Sequence, residues 1–276
     1  NLNIDIINEI SAVNEIELEA IWVEINWVNY GPFGRLNCLD GFVIPINELK
    51  TNFSNTLWES VDKTIDVLPI KTHILGRLDH PYDLLKKYCK EFIQYGDILT
   101  IGETPLAIMQ GRYIFPSTLK VNFIARILCK GFHPTSSLAT ACGMQSLINL
   151  VGPSRLIFSF LIGGLLKIFG VKGMFYRLAG SQARLIDDIT GTTPPYDQTI
   201  VLGPINAELF CKQASEELGV SVAVVDVNDL GKVKILQCNN PKIRNLLTSV
   251  LKSNPAGNAN EHTPLVLIRS SNKEQN

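Results

Sequence analysis

Hydrophobic and polar positions alternate along this chain with two periods, and the switches between them mark out its elements. Ile21 to Trp27 is rich in β-branched and aromatic residues and predicts a strand. Asn29 to Gly34, with two glycines and a proline, breaks it. The polar stretch from Thr51 to Ser60 places a boundary near residue 60, after which Ser60 to Lys63 either starts a short helix or serves as a linker. Leu68 to Leu75 reads as a strand. Beyond His80 and Pro81, the apolar Leu84, Leu85, Tyr88, Phe92 and Ile93 share one helical face while Lys86, Lys87, Lys90 and Glu91 take the other. Gly96-Asp97 then turns the chain into a strand from Ile98 to Gly102, and Glu103-Thr104-Pro105 opens a helix with proline in its first turn. Strand, helix and strand in this order predict a parallel α/β layer.

The spans 119–130 and 137–170 are helical by pattern, and Gly180 to Ile186 reads as a returning strand. Ile205 to Leu218 is an amphipathic helix with Asn206 as its cap, and Val220 to Val225 is a fully apolar strand carrying Asp226 at its C-terminal end. A helix at Ile243 to Leu251 and a last strand at Pro264 to Arg269 close the pattern. The fold expected is α/β, with mixed α+β the alternative: strand-helix-strand units around a mixed sheet, interrupted by a helical insert at about residues 130–175. The most apolar run, Leu156 to Leu166, is shorter than the roughly 20 residues a membrane span needs. Its apolar residues point in nearly every direction, which predicts a buried helix rather than a membrane-surface element.

Composition narrows the class. An apolar fraction of 46% over 276 residues supports one large core or two modest ones and excludes disorder for most of the chain. With 25 Lys plus Arg against 26 Asp plus Glu, no net field draws nucleic acid or anionic lipid, so neither nucleic acid nor membrane is expected as a partner. The six cysteines are widely spaced with no CxxC pair, as for reduced thiols in a cytoplasmic protein. The start at Asn1, without a basic-then-apolar leader pattern, reads as a processed terminus.

The densest chemical signal is Asp187-Asp188 followed by Thr190-Gly191 and the turn to Asp197. Paired carboxylates beside glycine and threonine bring hard oxygen ligands and backbone amides together, which suits a divalent cation carrying nucleotide phosphates; a plain Asp- and Pro-rich surface turn is the competing reading. Asp226 at the end of a buried strand joins that site if the two strands are neighbours. His73 and His80 stand near a strand without any zinc spacing and read as structural. Cys142, between small residues, resembles a nucleophile turn but has no histidine motif beside it. Neither GxxxxGK[ST] nor GxGxxG occurs, so phosphates would be held by metal and isolated amides.

Gly96 to Thr104 with Gly111-Arg112, and then Gln182 to Asp187 followed by Val224 to Asn228, resemble the phosphate-side and metal-bearing segments of the coenzyme F-420 γ-glutamyl ligases, over roughly residues 68–231. The resemblance implies a metal- and GTP-dependent ligase that joins L-glutamate to a small-molecule carboxylate through an acyl phosphate. It implies Asp187 and Asp226 as catalytic, these two with Asp188 as ligands to Mg²⁺ or Mn²⁺, and Glu103, Thr104, Thr190 and Arg112 as nucleotide contacts, in a homodimer. On this likeness residues 1–60 are an N-terminal extension with strands, 61–231 the ligase-like core and 232–276 a short C-terminal segment. Two positions depart from the family: Ile108 stands where it carries a lysine, and Val227 replaces a polar residue beside the second aspartate. The short remainder after Asp226 leaves little room for the family's second domain. A ligase is therefore the first expectation, and a ligase-like scaffold retained as a binding or regulatory module the second.

Overall fold

A computed structural model of the chain describes residues 19–32, 34–46, 58–187, 195–228, 230–257 and 261–270. In chain order, β1 (Ala20–Gly31) and β2 (Gly34–Pro45) form a long antiparallel hairpin. Next come β3 (Glu59–Ser60), β4 (Ile65–Ile70), α1 (Pro81–Cys89), β5 (Ile98–Gly102) and α2 (Glu103–Met109), followed by the short β6 (Tyr113–Ile114). The insert is α3 (Phe123–Leu128), α4 (Ala141–Val151), α5 (Pro153–Ile168) and α6 (Met174–Ala179). After β7 (Ile200–Val201) come α7 (Ala207–Leu218), β8 (Ser221–Val227), β9 (Val233–Cys238), α8 (Arg244–Val250) and β10 (Leu265–Ser270).

Six of these strands make one mixed sheet in the order β3-β4-β10-β5-β8-β9, so the fold is mixed α/β. Period-two alternation assigns each strand's side chains to two cores. Val222, Val224, Leu265 and Leu267 face α1 and α7, while Ala223, Val225, Val266 and Ile268 face α8. Burial on both faces is why β8 reads as an unbroken apolar run. Four of the six cysteines, Cys89, Cys129, Cys211 and Cys238, are buried, and all six are free thiols. Burial pushes the Cys89 and Cys211 thiols up to about 12, which leaves them inert.

Several elements differ from the sequence pattern for physical reasons. β4 and β5 do not pair with each other: β10 inserts between them, antiparallel to both, and among the described residues the one parallel pair in the sheet is β5 with β8. The expected strand at 180–186 is a 3-10 turn over Ser181–Arg184, after which a single bridge joins Asp187 to Val201. The strand at 68–75 runs earlier, at Ile65–Ile70, and no helix forms at 60–63. Asn206 occupies the N-cap position of α7 in the left-handed region, with no side-chain cap bond. Residues 232–276 supply the edge strand β9 and β10, one of the two central strands of the sheet.

α5 departs most. Leu156, Ser159 and Gly163 form a buried stripe, but the opposite face is apolar and exposed rather than enclosed. Gly152, at φ +84°, and Pro153 break the chain between α4 and α5, which bend by 113°. Gly163 permits close packing, since a Cβ there would stand 2.7 Å from the Phe175 amide nitrogen. Among the described residues no single helix is long and apolar enough to cross a membrane.

β10 is clamped by a bidentate ion pair. Arg269 donates from Nε to Asp97 Oδ1 at 2.9 Å and from Nη2 to Oδ2 at 2.8 Å, and Asp97 also accepts the Gln94 amide at 2.8 Å. Asp97 is buried, and the Arg269 guanidinium lies 4.3 Å from the centre of the Trp58 ring. Removing one partner strands a buried charge, so Arg269→Met should lower unfolding stability by about 3–5 kcal/mol in urea titration. The Arg269→Met, Asp97→Asn double variant should recover part of that loss.

Candidate functional site

The site is built by strand register. β5 and β8 run parallel with Gly102 opposite Val225, so their carboxyl ends bring Glu103 and Asp226 to the same edge of the sheet. β9 runs antiparallel to β8 and places Lys234 directly opposite Asp226. The Lys234 ammonium lies 3.5 Å from Glu103 Oε2 and 3.5 Å from Asp226 Oδ2. Asp187 arrives from outside the sheet, held by two backbone hydrogen bonds of 2.8 Å to Val201, and its Oδ2 accepts from the Thr104 hydroxyl at 3.4 Å. Asp187 and Asp226 therefore come together around the start of α2 and not by neighbouring strands.

Three carboxylates against one ammonium leave an excess of negative charge. Burial, with Asp226 and Asp187 nearby, pushes Glu103 up to about 8 despite the opposing Lys234 ammonium. Burial and Asp226 likewise push Asp187 up to about 6, opposed by the Thr104 hydrogen bond and Lys234. A bound cation would relieve this repulsion, and the donors are the hard oxygens that Mg²⁺ or Mn²⁺ prefer. Among the described residues no three His, Cys, Asp or Glu side chains converge closely enough to enclose a metal. Such a cation would complete its shell with water or ligand oxygens, as Mg²⁺ commonly does.

Beside this row opens a cavity of about 280 Å³, lined among others by Thr72, His73, Thr104, Tyr196, Asp226 and His262. The His73 ring is buried and spans Tyr88 Oη at 2.6 Å and Asp79 Oδ1 at 2.9 Å, so it braces the cavity wall. His80 is exposed beside Asp83 at the start of α1. Of the residues named from sequence, Glu103, Thr104, Asp187 and Asp226 are brought together. Asp188 and Thr190 lie outside the described residues. Arg112 spends its donors elsewhere, on the Gly203 carbonyl and the Gln182 side chain, each at 3.1 Å. Cys142 lies in the first turn of α4, in the insert. The residue that sequence reading missed is Lys234: nothing marks it until β9 is seen to pair with β8. Ile108, where the resembled family has lysine, is buried beside Val43 and Tyr196 and puts an apolar side chain on the wall of the same cavity.

Fold and site together define a mixed α/β protein with an acidic, lysine-bridged site at the carboxyl ends of a parallel strand pair. Residues 1–48 match the family model for F420-0:gamma-glutamyl ligase, N-terminal Ig-like domain. The match covers less than a fifth of the chain; it takes in all of β1 and β2 and lies upstream of the segments Gly96–Thr104 and Gln182–Asp187. No curated protein matches the chain.

The raised carboxyls predict a pH signature in metal-free protein. Glu103 keeps its proton in the folded state between its ordinary 4.5 and about 8, whereas the unfolded chain releases it, so folded protein binds more protons across that window. Stability is then fullest below that window and falls as pH rises through it, with Asp187 adding a smaller fall between 3.8 and about 6. Urea midpoints measured across this range should decline for the parent chain and flatten for Glu103→Gln.

Proposed function

We propose that this chain is a metal- and nucleotide-dependent amide ligase that joins L-glutamate to a small carboxylate, resembling the enzymes that extend a deazaflavin coenzyme precursor. The observation that carries this reading is the convergence of Glu103, Thr104, Asp187, Asp226 and Lys234 at one sheet edge beside a cavity. The γ-glutamyl ligase likeness of residues 1–48 supplies the reaction class.

In this reading the substrate carboxylate oxygen attacks the γ-phosphorus of GTP, the bond to the β-phosphate oxygen breaks, and GDP leaves with an acyl phosphate formed. The glutamate amine then attacks the acyl carbon, phosphate departs, and the nitrogen gives up a proton to yield the amide. Asp187 and Asp226 would hold Mg²⁺ or Mn²⁺, which neutralises phosphoryl charge when bound. Lys234 offers a cation at the same edge, from a different strand than the family's missing lysine, and Thr104 offers a hydroxyl. Enclosure of the acyl phosphate away from water is the task of the cavity walls, Tyr196 and His73 among them.

A binding module derived from such a ligase is the second reading, favoured by the apolar Ile108 and by the hold of Lys234 on two of the three carboxylates. Calorimetric titration of GTP and then ATP into metal-free protein, with and without Mn²⁺, tests the site. Metal-dependent binding should appear and be lost, by roughly tenfold or more, in Asp187→Asn, since a ligand carboxylate is removed. Absence of binding to either nucleotide would overturn the site assignment. Binding without phosphate release, over a panel of carboxylates with glutamate, would leave the module reading in place.

A further inference from the structure

α5 is reversed relative to an ordinary surface helix. Its narrow buried stripe includes a serine and a glycine, while Ile157, Phe158, Leu161, Leu165 and Ile168 recur at helical spacing on the outward face. Leu161 is 64% exposed, Leu165 52% and Ile168 82%, and Phe169 just beyond the helix is 74% exposed. A row of this kind, about 24 Å long in a 16-residue helix, is more than the scattered apolar surface of a monomer.

The charge around it is equally uneven. From residue 104 to residue 186 the chain has nine Lys and Arg and no Asp or Glu, so the insert is wholly cationic although the chain as a whole is nearly neutral. Lys167 and Lys172 are exposed at the C-terminal end of the apolar row. The expectation that no field would attract anionic lipid rested on the net charge, which averages this segregation away.

From the apolar row and its cationic setting we infer that α5 seats this protein on an anionic lipid surface, lying in the headgroup plane with Ile157 to Phe169 among the acyl chains. Broad outward apolar exposure with lysines at one end is the arrangement of an interfacial helix. α4 cannot follow α5 into a bilayer, because its residues Gly143 to Ile148 are buried in the insert's own core. A second copy is the poorer occupant: a twofold contact through this face would bring two cationic inserts together. The inference is independent of the nucleotide reading, since the row and the carboxylate site share no residue.

Flotation of the full chain with vesicles of phosphatidylcholine containing about one third phosphatidylglycerol is the test. The protein should rise with these vesicles and associate roughly tenfold less with phosphatidylcholine alone or in high salt. Leu161→Glu combined with Leu165→Glu should lose binding by roughly tenfold or more with an unchanged thermal melt, since both side chains face outward. Lys167→Glu combined with Lys172→Glu should erase the preference for the anionic vesicles. The inference is overturned if the parent fails to float, if both vesicle types bind it equally, or if the double leucine variant floats as well as the parent. It is likewise overturned if the parent does not float and is a dimer that the leucine variant converts to monomer in sedimentation.

Discussion

The bidentate contact between Arg269 and the buried Asp97 is the constraint on which the rest of the sheet depends. Asp97 sits in the turn that launches β5, and Arg269 lies near the end of β10, so the pair joins the last described strand to the strand whose far end builds the site. A carboxylate at that depth is tolerable only because its oxygens also accept the Gln94 amide, while the same guanidinium donates to the Phe92 carbonyl at 2.7 Å. With β10 so anchored, β5 is flanked on both sides and its carboxyl end is held level with that of β8. Backbone pairing, more than any side-chain contact, therefore positions Glu103 beside Asp226.

At that edge the electrostatics are deliberately unbalanced. Burial, with Asp226 alongside, makes Glu103 and Asp187 hold protons well above their ordinary range even though Lys234 opposes the shift. Such an arrangement costs the protein stability at neutral pH unless a cation or another ligand shares the charge. Ile108 gives the cavity an apolar wall where the resembled family has lysine, and β9 brings Lys234 to the carboxylates from another strand.

The helical insert follows a different logic from the sheet. Its inner residues, Leu147, Leu156, Ala179 and Ile186 among them, close a core of their own, yet α5 turns most of its apolar side chains outward. Burying them would have required a partner layer that the described residues do not supply. Net charge concealed the matching fact, because acidic residues elsewhere cancel the insert's nine cations in the total.

Several features were decided by sequence alone. The α1 and α7 faces, the apolar run of β8, the strand at Ile98–Gly102 and the proline-started α2 are written locally, since periodicity and turn residues act over a few positions. Asp187 and Asp226 were singled out as carboxylates beside turn residues, with a plain surface turn as the competing reading, and Glu103 and Thr104 only through the family resemblance; the structure brings these four together. What only the tertiary structure decided is non-local: the insertion of β10 between β4 and β5, the arrival of Lys234 through β9, the replacement of a strand at 180–186 by a 3-10 turn, and the outward face of α5. Each depends on which segments become neighbours, and periodicity along one segment carries no information about the surface that segment will meet.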